Sequence, residues 1–339
     1  MLLKNISRKT NIQYFFIFVL STLGLFKLLF ENKSNPSSNQ FFPCFEQPYF
    51  TILENHFLYV KIFTFLLFIG NAILLNYILR KHKLIEINKY YPAFFYLLFF
   101  LSFLKTTLAI PLFINTLIIL FLLPIFLDIS KKNYKLQHGF IFGFFCSLIS
   151  LIYPSFLFFI LLLYIILIIN GFHDWRSFLI PLLGVLVFNI YFFSILYFIE
   201  YSDYNFFFDF YSNLMSFKFL QINYTNIFQL FIYGCFFIFY LSFLYLIVSK
   251  VSKMNIFVRK KYYFLLLSSA FGLFFIFFST SSYCIGIMFF ITILAVMGGI
   301  CETFIKKRLL YNVLIFILLL SIIFNYLSSY FVCLNLTIV

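Results

Sequence analysis

The sequence predicts an all-α protein, a polytopic bundle of transmembrane helices. Of its 339 residues, 64% are hydrophobic and 10% are charged, whereas soluble domains carry about 25% charged residues. The aromatic content of 25% also excludes a disordered chain, which would need low hydrophobicity and high charge. Apolar runs long enough to enter a bilayer recur along the whole sequence, so residues 1–339 are predicted to form a single integral-membrane domain.

Eleven segments meet the requirement of about 17 to 25 mostly apolar residues for a span, although the third, fifth and sixth are short. They are Gln13–Phe30, Phe57–Leu79, Tyr91–Leu104, Leu108–Leu127, Gly139–Tyr153, Ser155–Asn170, Ser177–Ile199, Asn226–Ser249, Tyr262–Phe278, Tyr283–Ile300 and Leu309–Tyr326. No small-residue cleavage site follows the first segment, which is therefore predicted to be an uncleaved helix. Nine spans is the alternative count, because a miscounted pair of short helices leaves the orientation unchanged.

The basic residues predict the orientation, because short cytoplasmic loops carry most of the Lys and Arg. With the N-terminus in the cytoplasm and the C-terminus in the periplasm, nineteen of the 24 cations fall on the inner side. The inner segments then net +15 and the outer ones −1, which accounts for the overall charge of +14 without a nucleic-acid partner. The inner cations lie in residues 4–9, 80–89, 131–135, 176, 250–261 and 306–308. We therefore expect a multi-pass protein of a bacterial inner membrane.

The cysteines and histidines give no sign of a metal or redox site. The six cysteines are scattered without a CxxC pair, so neither a zinc site nor a disulfide framework is predicted. The four histidines are isolated, without an HExxH motif or an i, i+4 pair, and are interpreted as interfacial residues. We also find no nucleotide-binding glycine loop and no nucleophile elbow.

Two predicted outer loops are long enough to hold structure, and both are acidic. The first, residues 31–56, carries Glu31, Glu46 and Glu54. The second, residues 200–225, carries Asp203 and Asp209. Within it, rings alternate with polar residues over 206–219, which suits either a helix lying in the interface plane or an ordinary aromatic-rich loop.

A carboxylate at a membrane surface can act as the general base on a sugar or lipid hydroxyl, or hold a divalent cation on a diphosphate. Glu31, Glu46 and Glu54 are therefore the candidate catalytic residues, and ordinary solvated charge is the alternative. Lys105, on a short outer tip, is the candidate partner for a phosphate. Asp203 and Asp209 are the next candidates in this group.

Arg176 follows the only Trp of the chain, Trp175, on the inner side. A Trp at the headgroup level and an Arg reaching towards phosphate anchor the start of a helix. Arg176 is also the candidate ligand for a lipid phosphate.

Glycines and prolines in the middle of the chain predict close helix contacts and helix bends. Gly139 and Gly143 form a GxxxG motif, which permits close approach between helices, within one chain or between two. Prolines lie at or inside the middle helices and predict bends there. One of them, Pro154, is expected to form the outer tip between two short helices.

The segment from Lys131 to Phe193 resembles an uncharacterised integral-membrane family found in Bacteroidetes. The likeness is carried by the basic turn before His138-Gly139-Phe140, by the break at Pro154, and by Trp175-Arg176 followed by Leu179-Ile180-Pro181-Leu182-Leu183-Gly184. The family often has a proline four residues after that glycine, where this chain has Phe188. The resemblance implies a polytopic inner-membrane protein and supplies no catalytic residues.

More distantly, the layout is similar to membrane-embedded glycosyltransferases that depend on polyprenol phosphate. These enzymes place acidic residues in the first outer loop and use several short middle helices, although their usual acid is Asp where this chain has Glu. Two hypotheses follow: an enzyme acting on a lipid-linked sugar at the outer leaflet, or a transporter or non-catalytic assembly protein. Membrane lipids are the expected partners, and no cofactor is predicted beyond a divalent cation for a transferase.

Overall fold

The computed structural model describes most of the apolar segments but not the longest connections between them. The described residues are 17–24, 57–86, 89–103, 109–129, 135–151, 154–198, 227–252, 254–278, 283–302, 312–313, 315–320 and 322–323. Within these ranges every regular element is helical, as predicted. In hydrocarbon this is the expected outcome, because a helix satisfies its own backbone hydrogen bonds.

Nine helices have defined bounds, and residues 17–24 and stretches within 312–323 are also helical. The nine are α1 Phe57–Lys81, α2 Tyr91–Phe103, α3 Ala109–Ile129, α4 Leu136–Ser150, α5 Phe159–Asn170, α6 Trp175–Phe198, α7 Ile227–Val251, α8 Ile256–Phe278 and α9 Tyr283–Cys301. A 3-10 turn, Pro154–Phe158, separates α4 from α5, which confirms the predicted break at Pro154.

Most helix ends lie within three residues of the predicted ends, and α8 is the main exception. It begins at Ile256, six residues before the predicted start, and so takes Arg259, Lys260 and Lys261 into the helix. Long basic side chains are good helix formers, and their apolar stems can be buried along neighbouring helices.

By length and composition, three stretches of the described chain can cross a membrane: Ile62–Lys81, Trp175–Ile195 and Gly234–Val251. Five other helices contain apolar stretches that are shorter, between 10 and 17 residues long. We therefore treat the chain as a membrane protein, in which short helices must be sheltered by longer neighbours.

Helices α2 and α9 form the centre of the bundle. Every residue of α2 from Tyr91 to Ser102 is buried, and so is nearly all of α9 from Gly286 onwards. The two helices meet where α9 lacks side chains, since a Cβ on Gly299 would lie 2.7 Å from Cδ of the Pro92 ring. A Cβ on Gly298 would lie 2.9 Å from the Phe95 ring. The small residues let two central helices approach closely, as in other membrane bundles.

Helices α8 and α9 are antiparallel and also pack through glycines. A Cβ on Gly272 of α8 would lie 3.2 Å from Cα of Phe290, and one on Gly286 of α9 would lie 2.9 Å from the backbone nitrogen of Ile276. These two contacts fix the register of the pair. Counting eleven residues from Gly272 and from Phe290 towards the far end reaches Lys261 and Cys301, which therefore lie at one level.

The GxxxG motif serves packing within the chain. Gly143 of α4 faces the backbone of Pro181 in α6, whose carbonyl carbon would lie 2.7 Å from an added Cβ. Gly184 of α6 in turn faces the backbone of Phe140 and Phe144. Phe188, where the resembled family often has proline, continues α6 and contacts the ring of Phe144 at 5.0 Å. The backbones of α4 and α6 are thus in direct van der Waals contact.

One end of the bundle is stepped. The rings of Phe68 and Phe100 each lie 5.5 Å from the ring of Phe113, so these residues of α1, α2 and α3 share one level. From that level α2 continues three residues to Phe103, and α3 extends four residues to Ala109, whereas α1 extends eleven residues to Phe57. At 1.5 Å per residue, α1 reaches about 10 Å beyond the described ends of α2 and α3. We call this feature the α2–α3 step and this end of the bundle the Phe57 end.

Candidate functional site

The opposite end, where α1 ends and α2 begins, holds the buried His, Lys and Glu residues of the described chain. His82 follows α1, Asp128 lies near the end of α3, Lys261 lies in the second turn of α8, and Glu302 follows α9. His82 is 3% exposed, Lys261 6% and Glu302 3%, while the side chain of Asp128 is 33% exposed. We call these four residues the His82 cluster.

Two contacts join three of its members. The ammonium Nζ of Lys261 donates a hydrogen bond of 2.8 Å to the backbone carbonyl of His82. The imidazole Nδ1 of His82 lies 3.7 Å from Oδ1 of Asp128, which is an ion pair when the imidazole is protonated. Through these contacts the cluster connects α8, the end of α1 and α3.

Glu302 belongs to the cluster by its position. The glycine register of α8 and α9 puts Lys261 level with Cys301, and Glu302 is the next residue. A buried cation and a buried carboxylate thus lie at the same level of two packed helices. Because a charge removed from water is costly without an opposite charge or hydrogen bonds, this arrangement lowers the cost of burying both.

Arg80 orders the backbone beside the cluster. Its Nη2 donates to the carbonyl of Lys89 at 3.3 Å, and its guanidinium lies 4.0 Å from the centre of the Tyr90 ring. The side chains of Lys89 and Glu86 form an ion pair at 3.1 Å. The turn between α1 and α2 is therefore fixed by polar contacts at both its ends.

Sequence reasoning assigned the members of this cluster differently. By the charge pattern, Lys261, Asp128 and Glu302 fall in the predicted inner segments. His82 is interpreted there as an interfacial residue. In the structure His82, Lys261 and Glu302 are buried, because α8 starts earlier than predicted and α9 carries its last residues into the bundle. A basic and an acidic residue at matching ends of an antiparallel helix pair was the signal that the sequence contained.

A second polar network lies deeper, between α1, α2 and α3. Nδ2 of Asn71 donates to the carbonyl of Phe113 at 3.0 Å and to Oγ1 of Thr116 at 2.8 Å. The hydroxyl of Tyr96 donates to the same Thr116 oxygen at 3.4 Å. Asn71, Tyr96 and Thr116 are all fully buried. These neutral hydrogen bonds hold the three helices together in a region that water does not reach.

A narrow crevice between α3, α4, α5, α8 and α9 is apolar. Its walls include Phe126, Phe142, Phe159 and Phe289, and its polar member is Thr292. The Thr292 hydroxyl donates to the carbonyl of Met288 within its own helix, at 2.7 Å. With no ionisable group in its walls, the crevice is a packing feature and offers no acid or base.

Of the residues predicted as site residues, one is described. Arg176 is exposed at the start of α6, with its guanidinium 5.8 Å from the centre of the exposed Trp175 ring. Glu31, Glu46, Glu54, Lys105, Asp203 and Asp209 lie outside the described residues. Within the described ranges, no three His, Cys, Asp or Glu side chains lie close enough to hold a metal ion.

Two of these residues are close in sequence to described helix ends. Glu54 is three residues before Phe57, the first residue of α1, and Lys105 is two residues after Phe103, the last residue of α2.

The chain matches a known protein family over most of its length. Residues 45–332 match a family described as a family of unknown function, DUF6427. This range contains Glu46, Glu54 and Lys105, while Glu31 lies before it. No curated protein and no solved structure matches the chain.

Proposed function

We propose a function for this chain, which belongs to the DUF6427 family of unknown function: it is a multi-pass inner-membrane enzyme that acts on a lipid-linked sugar at the outer leaflet. The observation that carries the proposal is the α2–α3 step. The described ends of α2 and α3 lie about 10 Å short of the start of α1, which supports a recess beside α1 at the Phe57 end. The acidic segment 31–56 directly precedes α1 in sequence, and Glu54 is three residues before its first residue, Phe57.

In the proposed topology the chain crosses the membrane eleven times, with its N-terminus in the cytoplasm and its C-terminus in the periplasm. The charge difference of +15 against −1 between the two sides supports this orientation. The His82 cluster then belongs to the cytoplasmic end, and the α2–α3 step opens to the periplasm. Lipid-linked sugars displayed in the outer leaflet would meet the step directly.

Glu31, Glu46 or Glu54 is the proposed general base. The carboxylate takes the proton of an acceptor hydroxyl as that oxygen bonds to the anomeric carbon of the donor sugar. The bond between the anomeric carbon and the lipid phosphate oxygen breaks with its electron pair, which leaves a polyprenol phosphate. Lys105, two residues past α2, is proposed to neutralise that leaving group, with or without a divalent cation.

Asp203 and Asp209 are the next candidates if the first loop is not the site. They belong to the second acidic outer segment, 200–225, between α6 and α7. Arg176 has a different proposed role at the cytoplasmic surface. Its exposure beside Trp175 supports contact with a lipid phosphate, which anchors α6 at the headgroup level.

The test is a deletion strain complemented with Glu31→Gln, Glu46→Gln, Glu54→Gln or Lys105→Gln, each with its level in the membrane measured. We expect at least one of the glutamate variants to accumulate the unmodified lipid-linked glycan, because general-base help is worth about 10²- to 10⁴-fold in rate. Glu86→Gln, at the opposite end of the bundle, is the matched control. If all four variants restore the glycan profile fully, the first loop is not catalytic and the non-catalytic function is favoured.

A non-catalytic assembly protein is the second candidate, and the filled centre of the bundle supports it. Rings of α2 and α7 interlock there, with Phe99 and Phe236 at 5.0 Å and Phe95 and Phe243 at 5.8 Å. A tightly filled centre leaves no passage along the α2–α7 contact, which disfavours a transporter with its path there. Normal glycans in the deletion strain together with loss of a membrane complex would favour the assembly function.

A further inference from the structure

Helix α6 is the outlying helix of the described bundle. Of its membrane-spanning window, Trp175–Ile195, only 11% is buried, compared with 44% for the window in α1. Its close contact is with α4, through Gly184 and the backbone of Pro181. The opposite side of α6 faces away from the rest of the described chain and presents large apolar side chains, among them Leu182 and Leu186.

An asparagine interrupts that apolar side. Asn189 lies five residues after Gly184, which at 3.6 residues per turn places it about 140° around the helix from the α4 contact. Its side chain is partly exposed, and it makes no hydrogen bond to another residue of the described chain. Lipid tails cannot supply one, since they carry neither donors nor acceptors.

The residues around Asn189 have the spacing of a helix-packing seam. Leu182, Leu186, Asn189 and Phe193 follow one another at intervals of four, three and four residues on the side away from α4, which is the alternating spacing of a paired helix. In a membrane, an asparagine in such a seam hydrogen-bonds across to the partner helix. The other close face of α6, with its glycine, is already occupied by α4.

We propose that α6 forms a homodimer interface, in which Asn189 pairs with Asn189 of a second copy of this chain. Two copies in one membrane have the same orientation, so a two-fold axis along the membrane normal brings equal depths together. The carboxamide carries both donors and an acceptor, so two identical side chains satisfy each other reciprocally. A different partner would need a polar group at that same depth.

Cysteine cross-linking tests the face. Leu182 and Leu183 are adjacent and equally exposed, at 49% and 51%, but point about 100° apart around the helix. We expect Leu182→Cys to give a disulfide-linked dimer under mild oxidation in membranes and Leu183→Cys to give no more than the parent chain. Two differently tagged copies expressed together show that the product contains two copies of this protein. Equal cross-linking of both variants, or a product with another protein, would overturn the proposal.

Substitution of the asparagine tests the pairing. In a mild detergent, Asn189→Leu should shift the protein from dimer to monomer by light scattering, without a change in its level in the membrane. Asn189→Gln should remain largely dimeric because it keeps the carboxamide. Ser194→Ala is the control, since the Ser194 hydroxyl donates within its own helix to Ile190 at 2.7 Å. A wild-type chain that is monomeric, or an Asn189→Leu variant as dimeric as wild type, would contradict the role of Asn189.

Discussion

The ammonium group of Lys261 donates a hydrogen bond of 2.8 Å to the carbonyl of His82, although 179 residues separate the two in sequence. This contact joins the beginning of α8 to the end of α1. With Asp128 on α3 and Glu302 after α9, it brings four helices together at one end of the bundle. Two of these helices come from the first half of the chain and two from the second, so the cluster connects distant parts of the sequence.

Replacing Lys261 with methionine should destabilise the protein. The change keeps the length of the apolar stem and removes a hydrogen bond from a charged donor, which is worth about 1.5–3 kcal/mol. It also leaves the neighbouring carboxylate without the cation at its level. We expect a lower apparent Tm in detergent than for Lys260→Met, the adjacent and partly exposed control. Equal Tm values for the two variants would contradict a structural role for the cluster.

Replacing Gly143 with alanine should also lower the apparent Tm. The new Cβ would overlap the backbone of Pro181, which cannot move aside as a flexible side chain could. Gly234→Ala is the matched control, because no other helix of the described chain has an atom within 4 Å of its Cβ position. There the intrinsic preference of a helix for alanine over glycine, about 0.5–1 kcal/mol, should leave stability unchanged or raised. A stabilising effect at Gly143 would show that α4 and α6 are further apart than described.

Asn71 and Thr116 should be energetically coupled. In a double-mutant cycle of Asn71→Leu and Thr116→Val, we expect a coupling of about 0.6 kcal/mol and at most about 1.7 kcal/mol, the range for hydrogen bonds between membrane helices. Reversible unfolding in mixed micelles would measure it. Since the two side chains meet at 2.8 Å, strictly additive effects would mean that this hydrogen bond does not form.

Reporter fusions should reveal the proposed orientation. An enzyme that is active only in the periplasm should be inactive when fused after Lys135 or Lys261 and active when fused after Val339. The physical reason is the retention of basic segments on the cytoplasmic side. Activity after Lys261 would reverse the orientation and would move the α2–α3 step to the cytoplasmic side.

The helices were largely predictable, because apolar runs bounded by basic or acidic residues report directly on burial in lipid. The bounds of α2 and α9 were predicted to within a residue at each end. The start of α8 was missed because hydropathy counts Arg259, Lys260 and Lys261 as solvent-exposed, although their stems favour a helix. The break at Pro154 was predicted, since a proline cannot continue the hydrogen bonding of the preceding turn.

The polar contacts were not predictable in the same way. Neither spacing nor composition pairs Lys261 with His82, because their contact depends on how α1 and α8 pack. Similarly, Gly139 and Gly143 indicated a close approach, but the sequence alone left open whether the partner was inside or outside the chain. The contact of Gly143 with the backbone of Pro181 emerged only from the packing of α4 against α6. The predicted site residues of the outer loops stay predictions.

Helix α2 has only 13 residues and is enclosed on every side from Tyr91 to Ser102. At 1.5 Å per residue it is about 20 Å long, too short to cross the hydrocarbon layer of about 30 Å unaided. In a partly synthesised chain, α2 therefore lacks neighbours that bury it in the complete bundle. Two of them, α7 and α9, follow more than a hundred residues later. The burial of α2 is thus completed only late in synthesis, when these two helices have entered the membrane.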